Sequence, residues 1–242
     1  MKLFALVVLV VLIQEISCHP MYGVGEDNQL YTRSVRNGSW KATGEKSCCV
    51  IASAQLPDGS LVGVGTDNRV YTKRTANVGN WEGPIPRTCC LLDIDVLEDG
   101  TFVGVNQNRR LVKRKSLTEG EWEIVENGCC VKNIAVMPDG SILGLRRKGN
   151  LGIREGVEGE WNFLKSRKPL MKAIAVEPSG VIYGVCEETC EMRVLGEDGE
   201  WDEEPIPNSE CMIHIRSEEN LAPPLNDKAA HRTSYLDLEN TL

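Results

Sequence analysis

Short apolar runs alternate with turns along most of the chain. The clearest instance is Ile134-Ala-Val-Met-Pro-Asp-Gly-Ser-Ile-Leu-Gly144, with near copies at Ser53 to Gly63, Ile94 to Gly104 and Ile174 to Gly184. Each is an apolar run, a turn and a second apolar run ending at Gly. The turns are Pro57-Asp58-Gly59, Glu98-Asp99-Gly100, Pro138-Asp139-Gly140 and Pro178-Ser179-Gly180. Pro presets one backbone torsion and Gly supplies positive φ, so each unit reads as a β-hairpin. In the second repeat, Val50 to Leu56 and Ser60 to Gly65 form the hairpin and Thr66-Asp67-Asn68 a tight turn. Arg69 to Lys73 then alternates as a half-buried third strand. A loop from Thr75 to Gly79 leads to a fourth short strand around Trp81. Gly and Pro punctuate the chain too often for long helices.

The unit recurs. Trp40, Trp81, Trp122, Trp161 and Trp201 are spaced 41, 41, 39 and 40 residues apart. Gly23, Gly63, Gly104, Gly144 and Gly184 are spaced 40, 41, 40 and 40. Two independent markers holding one period indicate repeated supersecondary units. Four short antiparallel strands per repeat describe a propeller blade. The first repeat begins at Met21 without an innermost strand. Cys211-Met-Ile-His-Ile-Arg216 aligns with the innermost segments Cys49 to Ala54 and Cys130 to Ala135, so the C-terminal strand supplies the missing one. Closure of this kind hides sheet edges. The expected fold is all-β: a five-bladed β-propeller over residues 19–216.

Alternation in the innermost strands turns Ala52, Asp93, Asn133, Ala173 and His214 to one face, followed by Ala54, Asp95, Ala135, Ala175 and Arg216. Ser53, Ile94, Ile134, Ile174 and Ile215 face the other way and pack between sheets. Asp93 with His214, and Asp95 with Arg216, are expected to pair across the channel, since buried charges need partners.

The start of the chain changes the setting. Lys2, the apolar run Leu3 to Ile13 and the exit Gln14-Glu15-Ile16-Ser17-Cys18 read as a signal peptide, residues 1–18, cleaved after Cys18 or else after Ser17. The mature protein is then secreted and extracellular. No later apolar stretch is long enough for a membrane span. Residues 217–242 are polar and aperiodic, contain Pro223-Pro224, and read as an acidic disordered tail. Net charge is -8, and the acidic body argues against nucleic acid as a partner.

An oxidising compartment makes the ten Cys a disulfide set. Loss of Cys18 leaves an odd number, which implies a free thiol or an intermolecular bond, such as a disulfide-linked dimer. Cys186 and Cys190 align with Gly65 and Arg69 across a tight turn, so a Cys186–Cys190 disulfide is expected. Cys48-Cys49, Cys89-Cys90 and Cys129-Cys130 recur just before the innermost strands, where the fourth repeat has Pro169-Leu170 and the closing strand keeps only Cys211. Adjacent cysteines without C-x-x-C spacing point to disulfides rather than zinc. They are either vicinal or bridge neighbouring blades.

Chemistry is sparse. The three His are His19, His214 and His231, and no G-x-S-x-G, H-E-x-x-H or phosphate loop occurs, so no enzyme, metal or cofactor is expected. Five equivalent inter-blade clefts suggest binding instead. Each Trp (Trp40, Trp81, Trp122, Trp161, Trp201) is either a packing anchor or a face for a sugar ring. Asp27-Asn28 and Asp67-Asn68 serve tight turns or offer groups for sugar hydroxyls. Asn37-Gly38-Ser39 is a glycosylation sequon.

Gly63-Val-Gly-Thr-Asp-Asn-Arg-Val-Tyr-Thr-Lys73 and Gly23-Val-Gly-Glu-Asp-Asn-Gln-Leu-Tyr-Thr-Arg33, each followed by a Trp, resemble tectonin-type repeats over roughly residues 21–216. Tectonin and tachylectin-like proteins are β-propeller lectins. The resemblance implies a secreted lectin whose partners are glycans or glycoproteins. The chain departs from that pattern in its Cys-Cys pairs. It also has Gln107-Asn108, Gly149-Asn150 and Glu188-Thr189 where the first two repeats have Asp-Asn. The alternative is a structural protein of a matrix or secretion, with matrix proteins as partners and no sugar ligand.

Overall fold

A computed structural model describes residues 20–44, 47–164 and 168–217. The signal-peptide and tail readings lie outside these residues. The described residues form 18 strands. Blade one contains β1 (Met21–Gly25), β2 (Leu30–Arg33) and β3 (Lys41–Ala42). Blade two is β4 (Val50–Gln55), β5 (Leu61–Gly65) and β6 (Val70–Lys73). Blade three is β7 (Leu91–Val96), β8 (Phe102–Asn106), β9 (Arg110–Arg114) and β10 (Glu123–Cys129). Blade four is β11 (Val131–Val136), β12 (Ile142–Arg146), β13 (Leu151–Arg154) and β14 (Trp161–Phe163). Blade five is β15 (Met171–Val176), β16 (Ile182–Cys186) and β17 (Met192–Val194).

The last strand, β18 (Met212–Ser217), pairs antiparallel with β1, so the ring closes as the alignment of Cys211 to Arg216 requires. The fold is a five-bladed β-propeller. Blades two and five have three strands rather than four. Single bridges, Thr72 to Glu82 and Leu195 to Trp201, stand where a fourth strand was expected.

Each innermost strand carries a bulge at the same place. The register shifts between Val50 and Ala52, Leu91 and Asp93, Val131 and Asn133, and Met171 and Ala173. In blade one the shift falls between Val24 and Gly25, opposite Ile213. A bulge adds a residue and re-aims side chains. The added residues, Ile51, Leu92, Lys132, Lys172 and Ile213, are half-buried while their neighbours are fully buried. Between the sheets, Ile94, Ile134, Ile174 and Ile215 are buried completely, as their phase predicted.

A feature the hairpin pattern did not reveal ties the outer loops. Arg33, Lys73, Arg114 and Arg154 end the third strand of blades one to four, at spacings of 40, 41 and 40. All are buried. Arg33 donates to Pro207 O, Arg114 to Arg87 O (2.9 Å) and Arg154 to Glu126 O (2.9 Å), each carbonyl lying on a neighbouring blade or its linker. The recurring basic residue was the signal available in the sequence.

Candidate functional site

At the axis, Asp93 from β7 is the hub. His214 Nε2 lies 3.0 Å from its Oδ1 and Arg216 Nη2 3.4 Å away. Arg216 Nε lies 3.4 Å from Asp95 Oδ2. Both pairings expected across the channel are therefore present. The carboxylates also staple blades: Asp93 Oδ2 accepts Ile134 N–H (2.7 Å) and Asp95 Oδ2 accepts Val136 N–H (2.8 Å). Asn133 repeats the device one blade on, where its Oδ1 accepts Ile174 N–H (2.9 Å). Burial first, then Arg216, holds His214 below the usual imidazole range. A neutral imidazole donating from Nε2 leaves Nδ1 without a hydrogen-bond partner, as observed. Among the described residues, His214 is buried and committed to this network.

The cysteines build one face of the disc. Cys48–Cys49, Cys89–Cys90 and Cys129–Cys130 are vicinal disulfides, and all six residues are exposed. The second Cys of each pair has positive φ: 80°, 82° and 82°. Cys49 and Cys90 are each wedged between two turns. Cys49 N–H donates to Asn28 O (2.8 Å) of the preceding blade, while Cys49 O accepts Thr66 N–H (2.9 Å) of its own. Cys90 donates to Asn68 O (2.7 Å) and accepts Gln107 N–H (2.9 Å) in the same way. Cys130 donates to Arg109 O (2.7 Å).

The structure corrects the expected Cys186–Cys190 bond. Cys190 pairs with Cys211, and Cys186 is a buried free thiol. The tight turn of blade five holds one residue more than that of blade two. Gly65 N–H bonds Arg69 O, whereas Cys186 N–H bonds Glu191 O. Cys190 therefore occupies the position of Asn68, and both have φ of 63°. That position faces the next blade, so Cys190 meets Cys211, which leads into β18. Lys172 Nζ sits beside this disulfide, 3.1 Å from Cys211 Sγ, and pairs with Glu26 at 3.2 Å.

The other candidate residues divide. Asn28 and Asn68 stand beside the cysteine pairs. Asp27 and Asp67 are spent locally: each accepts the hydroxyl of the Tyr four residues on, Tyr31 (2.7 Å) and Tyr71 (2.9 Å). Asn68 also bonds Leu91 O (2.8 Å) and Gln107 Nε2 (2.9 Å) across the blade boundary. Trp40 and Trp201 are buried, and Trp81, Trp122 and Trp161 half-buried. The rings of Trp81, Trp161 and Trp201 lie over Gly63, Gly144 and Gly184 of their own blades. Trp81 Nε1 reaches Ser47 O at 3.4 Å, next to Cys48. Asn37 is exposed in the loop between β2 and β3.

No protein-family model matches the chain, and no curated protein sequence matches it. Solved structures share its fold. A nidogen/laminin complex is similar at TM-score 0.60 with 13% identity, over 83% of this chain and 82% of that one. A structure provisionally described as a gluconolactonase is similar at TM-score 0.51 with 14% identity, over 76% and 77%. YCF48 bound to a D1 peptide is similar at TM-score 0.45 with 14% identity over 79% of this chain, which spans 64% of its length. At these identities the likeness concerns the fold alone.

Proposed function

We propose that this chain is a secreted, tectonin-like lectin that binds carbohydrate multivalently, acting by binding rather than turnover. The supporting observation is the set of three exposed vicinal disulfides at equivalent blade positions. Each presents two soft, polarizable sulfurs on a fixed backbone, suited to the C–H face of a sugar ring. Polar groups for hydroxyls stand alongside: Asn28, the Asn68–Gln107 pair and Arg109. These contacts replace the Trp rings as the leading candidates, because Trp81, Trp161 and Trp201 cover glycines inside their blades. One such contact is weak, and three on one rigid body gain by avidity.

The test is a glycan array with the mature, oxidised protein beside a Cys89→Ser/Cys90→Ser double variant. Binding by wild type that falls several-fold in a folded variant supports the reading. Silence of the wild type across the array removes it. It would favour the second reading, a structural matrix protein, for which the shared fold in a nidogen/laminin complex is the supporting observation.

A further inference from the structure

The three vicinal disulfides stand at equivalent places, but the turns beside them differ in charge. Glu26-Asp27-Asn28-Gln29, beside Cys48–Cys49, holds two acids and no base. Thr66-Asp67-Asn68-Arg69, beside Cys89–Cys90, holds one of each. Gln107-Asn108-Arg109-Arg110, beside Cys129–Cys130, holds two bases and no acid. Formal charge therefore steps from -2 through 0 to +2, in a chain whose net charge is -8.

The two arginines of the third site are fixed against its disulfide through the backbone. Arg109 O accepts Cys130 N–H (2.7 Å), and Arg110 pairs in register with Cys129. At the first site Asn28 and Gln29 hold the same two positions: Asn28 O accepts Cys49 N–H (2.8 Å), and Gln29 bridges to Cys48. Arg109 has φ of 58° and Asn28 of 60°, so the backbone is shared and the side chain is what changes. Burial pushes the Lys132 ammonium below its ordinary range; Glu187, 3.8 Å away, opposes this, and the nearby Arg109 adds to it. Positive charge on this side of the disulfide is thus dense enough to repel itself. Beside Cys129 opens a cleft of about 520 Å³, lined by Arg110, Ile124, Glu126 and Asn127 among others. Arg110 and Ile124 are both exposed there, a cation next to an apolar contact. Glu126 is the one acid in its walls. The arginine fork matches the oxygens of a carboxylate or sulfate.

We propose that the Cys129–Cys130 site selects an acidic sugar, one bearing a carboxylate or a sulfate ester, with Arg109 and Arg110 as its specificity-determining residues. The disulfide takes the ring face and the guanidinium groups take the anionic substituent. The Cys48–Cys49 site, flanked by acids, takes neutral sugars. This assignment rests on the carbohydrate reading above.

The experiment is calorimetric titration of the mature, oxidised protein with a heparin-derived hexasaccharide, run beside the glycan array. Wild type binds the hexasaccharide, and binding weakens as salt rises. Arg109→Asn/Arg110→Gln, which gives the third site the two residues of the first, weakens it about tenfold or more. The same variant keeps wild-type binding to neutral glycans on the array. Circular dichroism confirms folding, and Arg110→Gln alone, expected to weaken the hexasaccharide about threefold or more, supplies the reading if the double variant does not fold. Undiminished hexasaccharide binding in a folded variant overturns the proposal. So does equal binding of duplex DNA, which would mark a general polyanion surface. Neutral glycans bound without the hexasaccharide leave the lectin reading standing and remove this one, whereas silence towards every glycan removes both.

Discussion

Gly144 illustrates how tightly single residues are held. A Cβ at this position would lie 2.5 Å from the Trp161 ring and 2.8 Å from Val131 Cγ1. Blades two, four and five therefore keep glycine where their own tryptophan lies down, and in these blades the two markers of the period are one contact. Gly144→Ala is expected to destabilise the protein by about 1–3 kcal/mol, measured by urea unfolding. His214 gives a second residue-scale expectation. A histidine held below its normal range in the folded chain takes up a proton more readily when unfolded, so stability falls as pH drops below about 6.5. Asp93 is pushed up by burial, yet Arg216, His214 and Ile134 N–H together hold it low. Its contribution is lost at more acid pH, below the ordinary carboxylate value of about 3.9. Asp95, raised by burial, works in the opposite sense and at higher pH, above the ordinary carboxylate value of about 3.9, where its folded carboxyl takes up a proton before the unfolded one does. Unfolding free energy should therefore decline between pH 7 and pH 5, and His214→Gln should flatten that stretch. A slope that survives the substitution would refute this account.

At the level of the strand and turn, the cysteines divide sharply by chemistry. Iodoacetamide applied to the native protein is expected to leave Cys186 unmodified. In denaturant without reductant, Cys186 should be the one thiol labelled among residues 20–217, with peptide mapping linking Cys190 to Cys211. Labelling of Cys211 would contradict the pairing. Much of this level was legible in the sequence. Hairpin turns, the glycine and tryptophan periods, and the phase of Ile94, Ile134 and Ile174 all follow from local chemistry. The Cys186–Cys190 error has a local cause as well. One inserted residue in the blade-five turn moves Cys190 from the position of Arg69 to that of Asn68, and spacing alone does not reveal which hydrogen bond closes a turn. Nor does it say which groups are spent. Asp67 has the composition of a ligand, but its oxygens already serve Tyr71 OH and Arg69 N–H.

For the whole molecule, closure rests on β18 and on one covalent link. Cys190–Cys211 fastens blade five to the strand that completes blade one, enclosing a loop with a sequence separation of 21. Cys190→Ser/Cys211→Ser is expected to lower unfolding free energy by about 3 kcal/mol in urea. Cys89→Ser/Cys90→Ser should cost far less, since neighbours in sequence enclose almost no loop. The C-terminal origin of β18 also sets an order of events on the ribosome. Until residues 212–217 have emerged, β1 has an open inner edge, and Asp93 and Asp95 lack Arg216 and His214. The first blade to be translated is thus the last to be completed. A nascent chain that stops short of β18 carries two unneutralised carboxylates at the point where the ring must shut, so that the ring can close only once residues 212–217 are in place.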